Sequence, residues 1–168
     1  MASVSTHDIG LDALDELKDV DALCLFVGED ERPLRGAAGY VDWRLCGALS
    51  RVIKNGFFVG AASDWLLLPS NGRIAPSRIF VVGLGKRAGL SAEGIGKALS
   101  VAARTLTRAK VESVALEIPS GSSVDEAARA GVFSREFLPE FKGRAVALLA
   151  EKSLARLLPG ASGASRAQ

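Results

Sequence analysis

The chain is poor in the residues that carry most catalysis. It has one histidine, His7, and two cysteines, Cys24 and Cys46, among 168 residues. A catalytic triad or dyad needs a base fixed by a third group. His7 falls in an N-terminal segment and reads as an exposed, solvated side chain. The cysteines lie inside apolar segments, with no CxxC and no Cys/His spacing for zinc, so they read as small buried hydrophobes of a reduced compartment. Charge of one sign is also lacking. A formal net charge of +2 gives no electrostatic footprint for nucleic acid, and DNA is not expected as a partner. No apolar run approaches the roughly 20 residues of a membrane span. The first ten residues, MASVSTHDIG, have no basic and then apolar character, so no secretory signal is read and a cytoplasmic location with no membrane contact is expected.

What is present is an ordinary globular composition, 48% hydrophobic and 24% charged, at the usual length of one domain. Apolar runs alternate with helical patterns. Ala22 to Val27 is continuously apolar, as expected of a strand buried on both faces. Gly36 to Asn55 reads as one helix, with Val41, Leu45, Leu49, Val52 and Ile53 on its apolar face. Trp65 to Leu68 is a short strand ended by the turn cluster Pro69-Ser70-Asn71-Gly72. Ile79 to Val82 is the next strand. Ser91 is a good N-cap for a helix whose stripe is Ile95, Leu99, Ala102, Ala103 and Leu106. Val114 to Ile118 is a strand, Val124 to Ala130 a short helix, and Arg135 to Phe141 is ambiguous. Ala145 to Ala150 is a last strand and Lys152 to Leu158 a last helical turn or two. The residues before Asp21 add a strand and a short helix, Leu11 to Lys18. One domain over 1–158 is expected, followed by a tail, 159–168, too small and polar to order itself. Strands alternating with helices point to a layered α/β domain with a largely parallel sheet.

The stretch RIFVVGLGKRAGLSAEGIGKALS, Arg78 to Ser100, has the outline of a phosphate cradle. Gly83-Leu84-Gly85-Lys86-Arg87-Ala88 fits the loose dinucleotide fingerprint. Yet the best helix cap, Ser91, comes too late to aim amides at a pyrophosphate. No acidic residue lies near Ala103 to Thr105, and there is no GxxxxGK[ST]. The reading is a tight turn between a buried strand and its crossover helix. Two further clusters have bland readings. Asp12, Asp15, Glu16, Asp19 and Asp21, with Glu29, Asp30 and Glu31, read as solvated acids and not as a metal site. Tyr40, Trp43, Phe57, Phe58 and Trp65 read mostly as core; exposure of Trp43 or Phe58 would mark an interface.

RIFVVGLGKRAGLSAEGIGKALSVAARTL followed by VESVALEIP resembles the N-terminal domain of the leucyl aminopeptidase family (peptidase family M17). CLFVGED is similar to that family's first buried strand, and LCGALSRVIKNGFFVGAASDWLLLPS to its GGALSRLL-type helix and following strand. The resemblance covers about Ala22 to Pro119. The family's peptidase activity lies in a C-terminal domain with a signature like NTDAEGRL, which nothing here matches. The resemblance therefore implies a stand-alone N-terminal domain, non-catalytic, with no metal ligands and no cofactor. The fold implied is a three-layer α/β/α domain with a mixed, mostly parallel sheet, like the macro domains that bind ADP-ribose in other proteins. Gly36 to Asp42 is similar to the macro-domain run of asparagines and glycines, but Gly36 and Gly39 replace both asparagines and the glycine triplet is missing. The expected function is an interaction or assembly module, with a protein partner or self-association into a homo-oligomer. The rivals are a nucleotide-binding domain, with Gly36, Ala37, Asp42, Gly83, Gly85 and Lys86 as ligand-loop candidates, and the non-catalytic subunit of a split aminopeptidase.

Overall fold

The computed structural model describes residues 2–158 and 162–163. The expected tail from 159 lies outside the described residues, apart from Ser162 and Gly163. In chain order the elements are β1 Ser3–His7, α1 Leu11–Glu16, β2 Ala22–Val27, α2 Gly36–Arg44, α3 Ala48–Lys54, β3 Trp65–Pro69, β4 Arg78–Gly83 and α4 Ala92–Arg108. There follow β5 Ser113–Leu116, α5 Glu126–Val132, a π-helical stretch Phe133–Phe137, β6 Ala145–Leu149, α6 Lys152–Ala155 and the two-residue β7 Ser162–Gly163. The sheet order is β3-β4-β2-β5-β6-β1-β7. Among the described strands only the β3–β4 pair is antiparallel. The domain is thus a mixed, mostly parallel α/β/α sandwich, as the alternation of apolar runs and amphipathic helices predicts.

The continuous apolar runs mark the central strands because both faces are covered. On β2, Cys24 and Phe26 join Phe80, Leu99 and Phe133 under α4, α5 and the π-helical stretch. Leu23, Leu25 and Val27 join Val41, Leu49 and Ile79 under α1, α2 and α3. α4 is the best-defined helix. The Ser91 hydroxyl accepts from the Gly94 amide at 3.2 Å, and Ile95, Leu99, Ala102, Ala103 and Leu106 are all fully buried.

Three expectations are corrected. Cys46 is exposed rather than a buried hydrophobe. The single helix over Gly36 to Asn55 is two, because Cys46 and Gly47 take φ of 54° and 77°. The Gly47 amide closes the first helix on the Asp42 carbonyl at 2.8 Å. The break restarts α3 on the same face, so Leu45 and Leu49 stay buried together and periodicity alone does not reveal it. His7 is not a solvated terminal residue. It closes β1, paired with Leu149 of β6, and its side chain keeps only 16% exposure beside Glu16. The ambiguous segment Arg135 to Phe141 enters the sandwich through Phe137 and Phe141, stacked in series with Phe133.

Leu99 contacts core on every side, so Leu99→Ala should cost about 2–5 kcal/mol, the usual range for a buried leucine truncation. The urea midpoint should fall with an unchanged slope.

A candidate ligand cleft filled by internal carboxylates

β2, β4 and β5 are parallel neighbours, and the chain leaves β2 toward one side and β4 toward the other. Their C-terminal ends therefore border a crevice, the usual ligand position in such sheets. A cavity of about 350 Å³ lies there, lined by Cys24, Arg35, Gly36, Ala37, Arg87, Glu117 and Ser120. It adjoins a larger one of about 1100 Å³, which shares Arg35, Gly36 and Glu117 and extends past Leu34, Tyr40, Trp43 and Lys152.

The first amides of the glycine loop after β4 are bonded within the chain. Gly83 N–H donates to the Asp64 carbonyl at 2.8 Å, Leu84 N–H to Val27 at 3.0 Å and Gly85 N–H to Gly60 at 2.9 Å. The amides that a phosphate would need are taken up by neighbouring backbone. Glycine is required here by close approach: a Cβ on Gly83 would overlap the Ala61 carbonyl oxygen.

The next two amides, and the first turn of α2, meet the chain's own carboxylates. Arg87 N–H and Ala88 N–H donate to the two oxygens of Asp30 at 2.6 and 2.9 Å. These bonds hold the Asp30 carboxyl below the usual carboxylate range. Ala37 N–H donates to Glu117 Oε2 at 2.7 Å. The Arg87 guanidinium donates to Glu31 Oε2 at 2.9 Å and to Ser120 Oγ at 2.8 Å. Glu31 also accepts from Gly28 N–H at 3.2 Å and is one of few buried charged residues, at 6% exposure. Glu117 is raised above the usual carboxylate range by burial, against the opposing pull of the Ala37 amide and of Arg129 and Arg87. Arg129 in turn donates to the carbonyls of Ile118 and Pro119, which fixes the end of β5.

Of the six sequence-derived ligand-loop residues, Gly36 and Ala37 line the smaller cavity. Gly83 and Gly85 lie beneath the 60–62 backbone. Asp42 faces α3, accepting from Ser50 N–H at 3.1 Å. Lys86 does not line the cavity, whereas the adjacent Arg87 does. Sequence reasoning missed Glu31 and Glu117. Glu31 was placed among solvated acids, and the structure corrects that. Glu117 had a legible signal: it is the one charge inside the apolar run VALEIP. The arrangement offers hydrogen-bonding and charge but no activated nucleophile. Ser120 Oγ accepts from an arginine, and burial pushes the Cys24 thiol far up. Among the described residues no group of three His, Cys, Asp or Glu side chains is arranged to hold a metal ion, and no helix is long and apolar enough to cross a membrane. Asp15 instead pairs with Arg44 at 2.7 Å.

The fold is macrodomain-like. A mutant Oceanobacillus iheyensis macrodomain superposes with a TM-score of 0.69 at 12% identity, covering 92% of this chain and 86% of that one. The macrodomain of Thermus aquaticus DarG gives 0.67 at 14% identity, over 90% of this chain and all of the other. A mutant tomato leucine aminopeptidase gives 0.61 at 19% identity, over 94% of this chain but 34% of that one. Residues 23–135 match the profile of the cytosol aminopeptidase family, N-terminal domain, and the chain belongs to that family. A probable cytosol aminopeptidase of Paraburkholderia phytofirmans is 33% identical over 110 residues, 65% of this chain and 22% of the relative. One from Burkholderia mallei is 38% identical over 92 residues, 54% of this chain and 18% of the relative. The chain thus spans about a fifth of the length of the curated relatives it matches.

Glu117 tests the energetics of the cleft. Its pKa is raised in the folded state, so its ionised form is a net cost: the neutral form favours folding below the unfolded pKa, and that advantage is lost as pH rises through the folded pKa. Glu117→Gln keeps an acceptor for Ala37 and removes the buried charge. It should unfold at a higher temperature than the wild type at pH 7–8, with the difference closing toward pH 4. Thermal unfolding across that range is the measurement.

Proposed function

We propose that the chain is an interaction or assembly module, built on the aminopeptidase N-terminal fold and without catalytic chemistry of its own. One observation carries this reading. Tyr40 and Trp43, three residues apart on α2, are 40% and 69% exposed. They stand beside Leu34 on the rim of the larger cavity. A tryptophan and a tyrosine held outward on one helix face cost solvation and suit a protein interface, where such residues supply most of the binding energy. Of the five aromatics expected mostly in the core, Phe58 alone is buried, while Tyr40, Trp43, Phe57 and Trp65 are exposed. The internal carboxylates of the cleft support the same reading from the other side. A diphosphate would have to displace Asp30 and Glu117 from the amides that they hold.

A second reading, a nucleotide-type ligand, is favoured by the two adjoining cavities at the strand ends. It requires that Glu117 swing away from Ala37. A third outcome of the assembly reading is a non-catalytic subunit whose partner is a separate M17 catalytic chain.

The readings separate in two measurements. Sedimentation velocity of the pure chain, alone and mixed with an M17 catalytic-domain chain, should show association. Trp43→Ser should weaken it at least tenfold while leaving thermal unfolding unchanged. Thermal unfolding with ADP-ribose should show no shift, whereas a ligand at 100 times its Kd would add about 2.7 kcal/mol. A clear shift with ADP-ribose, with no association in either mixture, would overturn the assembly reading.

A further inference from the structure

One carboxylate of the cleft is left without a cation of its own. Glu31 is paired with Arg87, and Asp30 is exposed on two loop amides. Glu117 is half-buried and has the Ala37 amide on Oε2. Among the described residues its Oε1 has no hydrogen-bond or ion-pair partner. The guanidiniums of the cleft are committed elsewhere. Arg87 donates to Glu31 and Ser120, and Arg129 to the carbonyls of Ile118 and Pro119. Burial accordingly raises Glu117 above the usual carboxylate range, although the amide and both arginines act to lower it. A desolvated carboxylate short of a counter-ion is relieved by any cation that reaches it.

The wall beside it is aromatic. Gly36, Tyr40 and Trp43 stand at i, i+4 and i+7 of α2 and share one face of the helix, turned away from the buried Ala37, Ala38 and Val41. A Cβ on Gly36 would overlap the Glu117 carboxyl, so the carboxylate lies directly against the first turn of this face. With a rise of about 1.5 Å per residue, Trp43 stands about 10 Å farther along. Gly36 and Gly39 line the cavity of about 1100 Å³ without side chains. That cavity therefore runs from a carboxylate to two half-exposed aromatic rings.

The other charges of the wall do not neutralise Glu117. Arg35 and Lys152 line the same cavity, and among the described residues neither is ion-paired with Glu117. Asp8 and Glu151 line it as well, so carboxylates outnumber cations by three to two.

We propose that this face of α2 receives an arginine side chain of a protein partner, with the guanidinium on Glu117 Oε1 and the stem along Tyr40 and Trp43. This deepens the assembly reading by giving the chemistry of the partner, and it rests on that reading for the expectation that a partner exists. Arginine fits better than lysine. Its planar, weakly hydrated guanidinium donates to a carboxylate and stacks on a ring face at once, whereas an ammonium is a strongly hydrated point charge. Tyrosine, tryptophan and arginine are also the residues that carry most interface energy, and they do so in water-excluding pockets. An anionic group would meet the Glu117 carboxylate instead and be repelled.

NMR titration of the pure chain with N-acetyl-arginine amide, at mildly alkaline pH and low salt, tests this directly. The Ala37 amide and the Trp43 indole N–H signals should move together and saturate. N-acetyl-citrulline amide, of the same shape without the charge, should move neither. Glu117→Gln keeps an acceptor for Ala37 and removes the charge, and should weaken arginine binding about tenfold or more. Trp43→Ser should weaken it while leaving the citrulline response absent. Equal responses to arginine and citrulline, or an unchanged arginine response in Glu117→Gln, would overturn the proposal. Sedimentation of the same variants separates this from the assembly reading. Association that survives Glu117→Gln but is lost in Trp43→Ser would overturn the arginine site and leave the assembly reading standing. Glu117-dependent arginine binding without association in any mixture would support the site and count against the assembly reading alone.

Discussion

The cleft region depends on one close approach, the 60–62 backbone lying directly on Gly83 and Gly85. Three amides of the loop after β4 are bonded to Asp64, Val27 and Gly60. These bonds tie the end of β4 to the end of β2, the start of β3 and the connection between them. A side chain at Gly83 would overlap the Ala61 carbonyl, so the approach is possible only without a Cβ. The following amides, of Arg87 and Ala88, are thereby turned toward the β2–α2 connection and meet Asp30 there.

From that constraint follows the electrostatic character of the strand ends. Loop amides and a helix N-terminus are natural anion positions. Here they are occupied from within, by Asp30 on the β4 loop and by Glu117 on α2. The two carboxylates differ in cost. Asp30 is exposed and gains two amide donors, so ionisation comes easily. Glu117 is partly buried, and desolvation outweighs its single amide bond and the nearby guanidiniums. Arg87 links the remainder, spanning Glu31 from the β2 loop and Ser120 from the β5 end.

Away from the cleft, two apolar features of the described residues face solvent. Two large aromatics stand outward on α2, and an apolar strand forms one margin of the sheet. Both leave apolar area in water. They fit the position of this chain in a family whose N-terminal domain is a companion to other structure, since it matches about a fifth of its relatives' length.

Sequence patterning was most legible where the cause is local. Ala22 to Val27 and Ile79 to Val82 read as strands because both sheet faces demand apolar side chains. α4 read correctly because its stripe and the Ser91 cap are determined within the helix itself. The fold class followed from their alternation. The α2–α3 break was hidden because it preserves the phase of Val41, Leu45 and Leu49. His7 looked terminal because nothing local announces that β1 lies between β6 and β7. The need for glycine in this motif comes from the carbonyl of Ala61 against Gly83, a contact across more than twenty residues that no local pattern shows. The sequence by itself determined which segments are strand and helix, since hydrophobic period and capping act over a few residues. Only the tertiary structure decided that Glu31 and Arg87, 56 positions apart, and Ala37 and Glu117, 80 apart, would be hydrogen-bonded to one another in the cleft. It alone also left β3 at a margin. Both depend on which strands become neighbours, and that is settled by packing of the whole sheet.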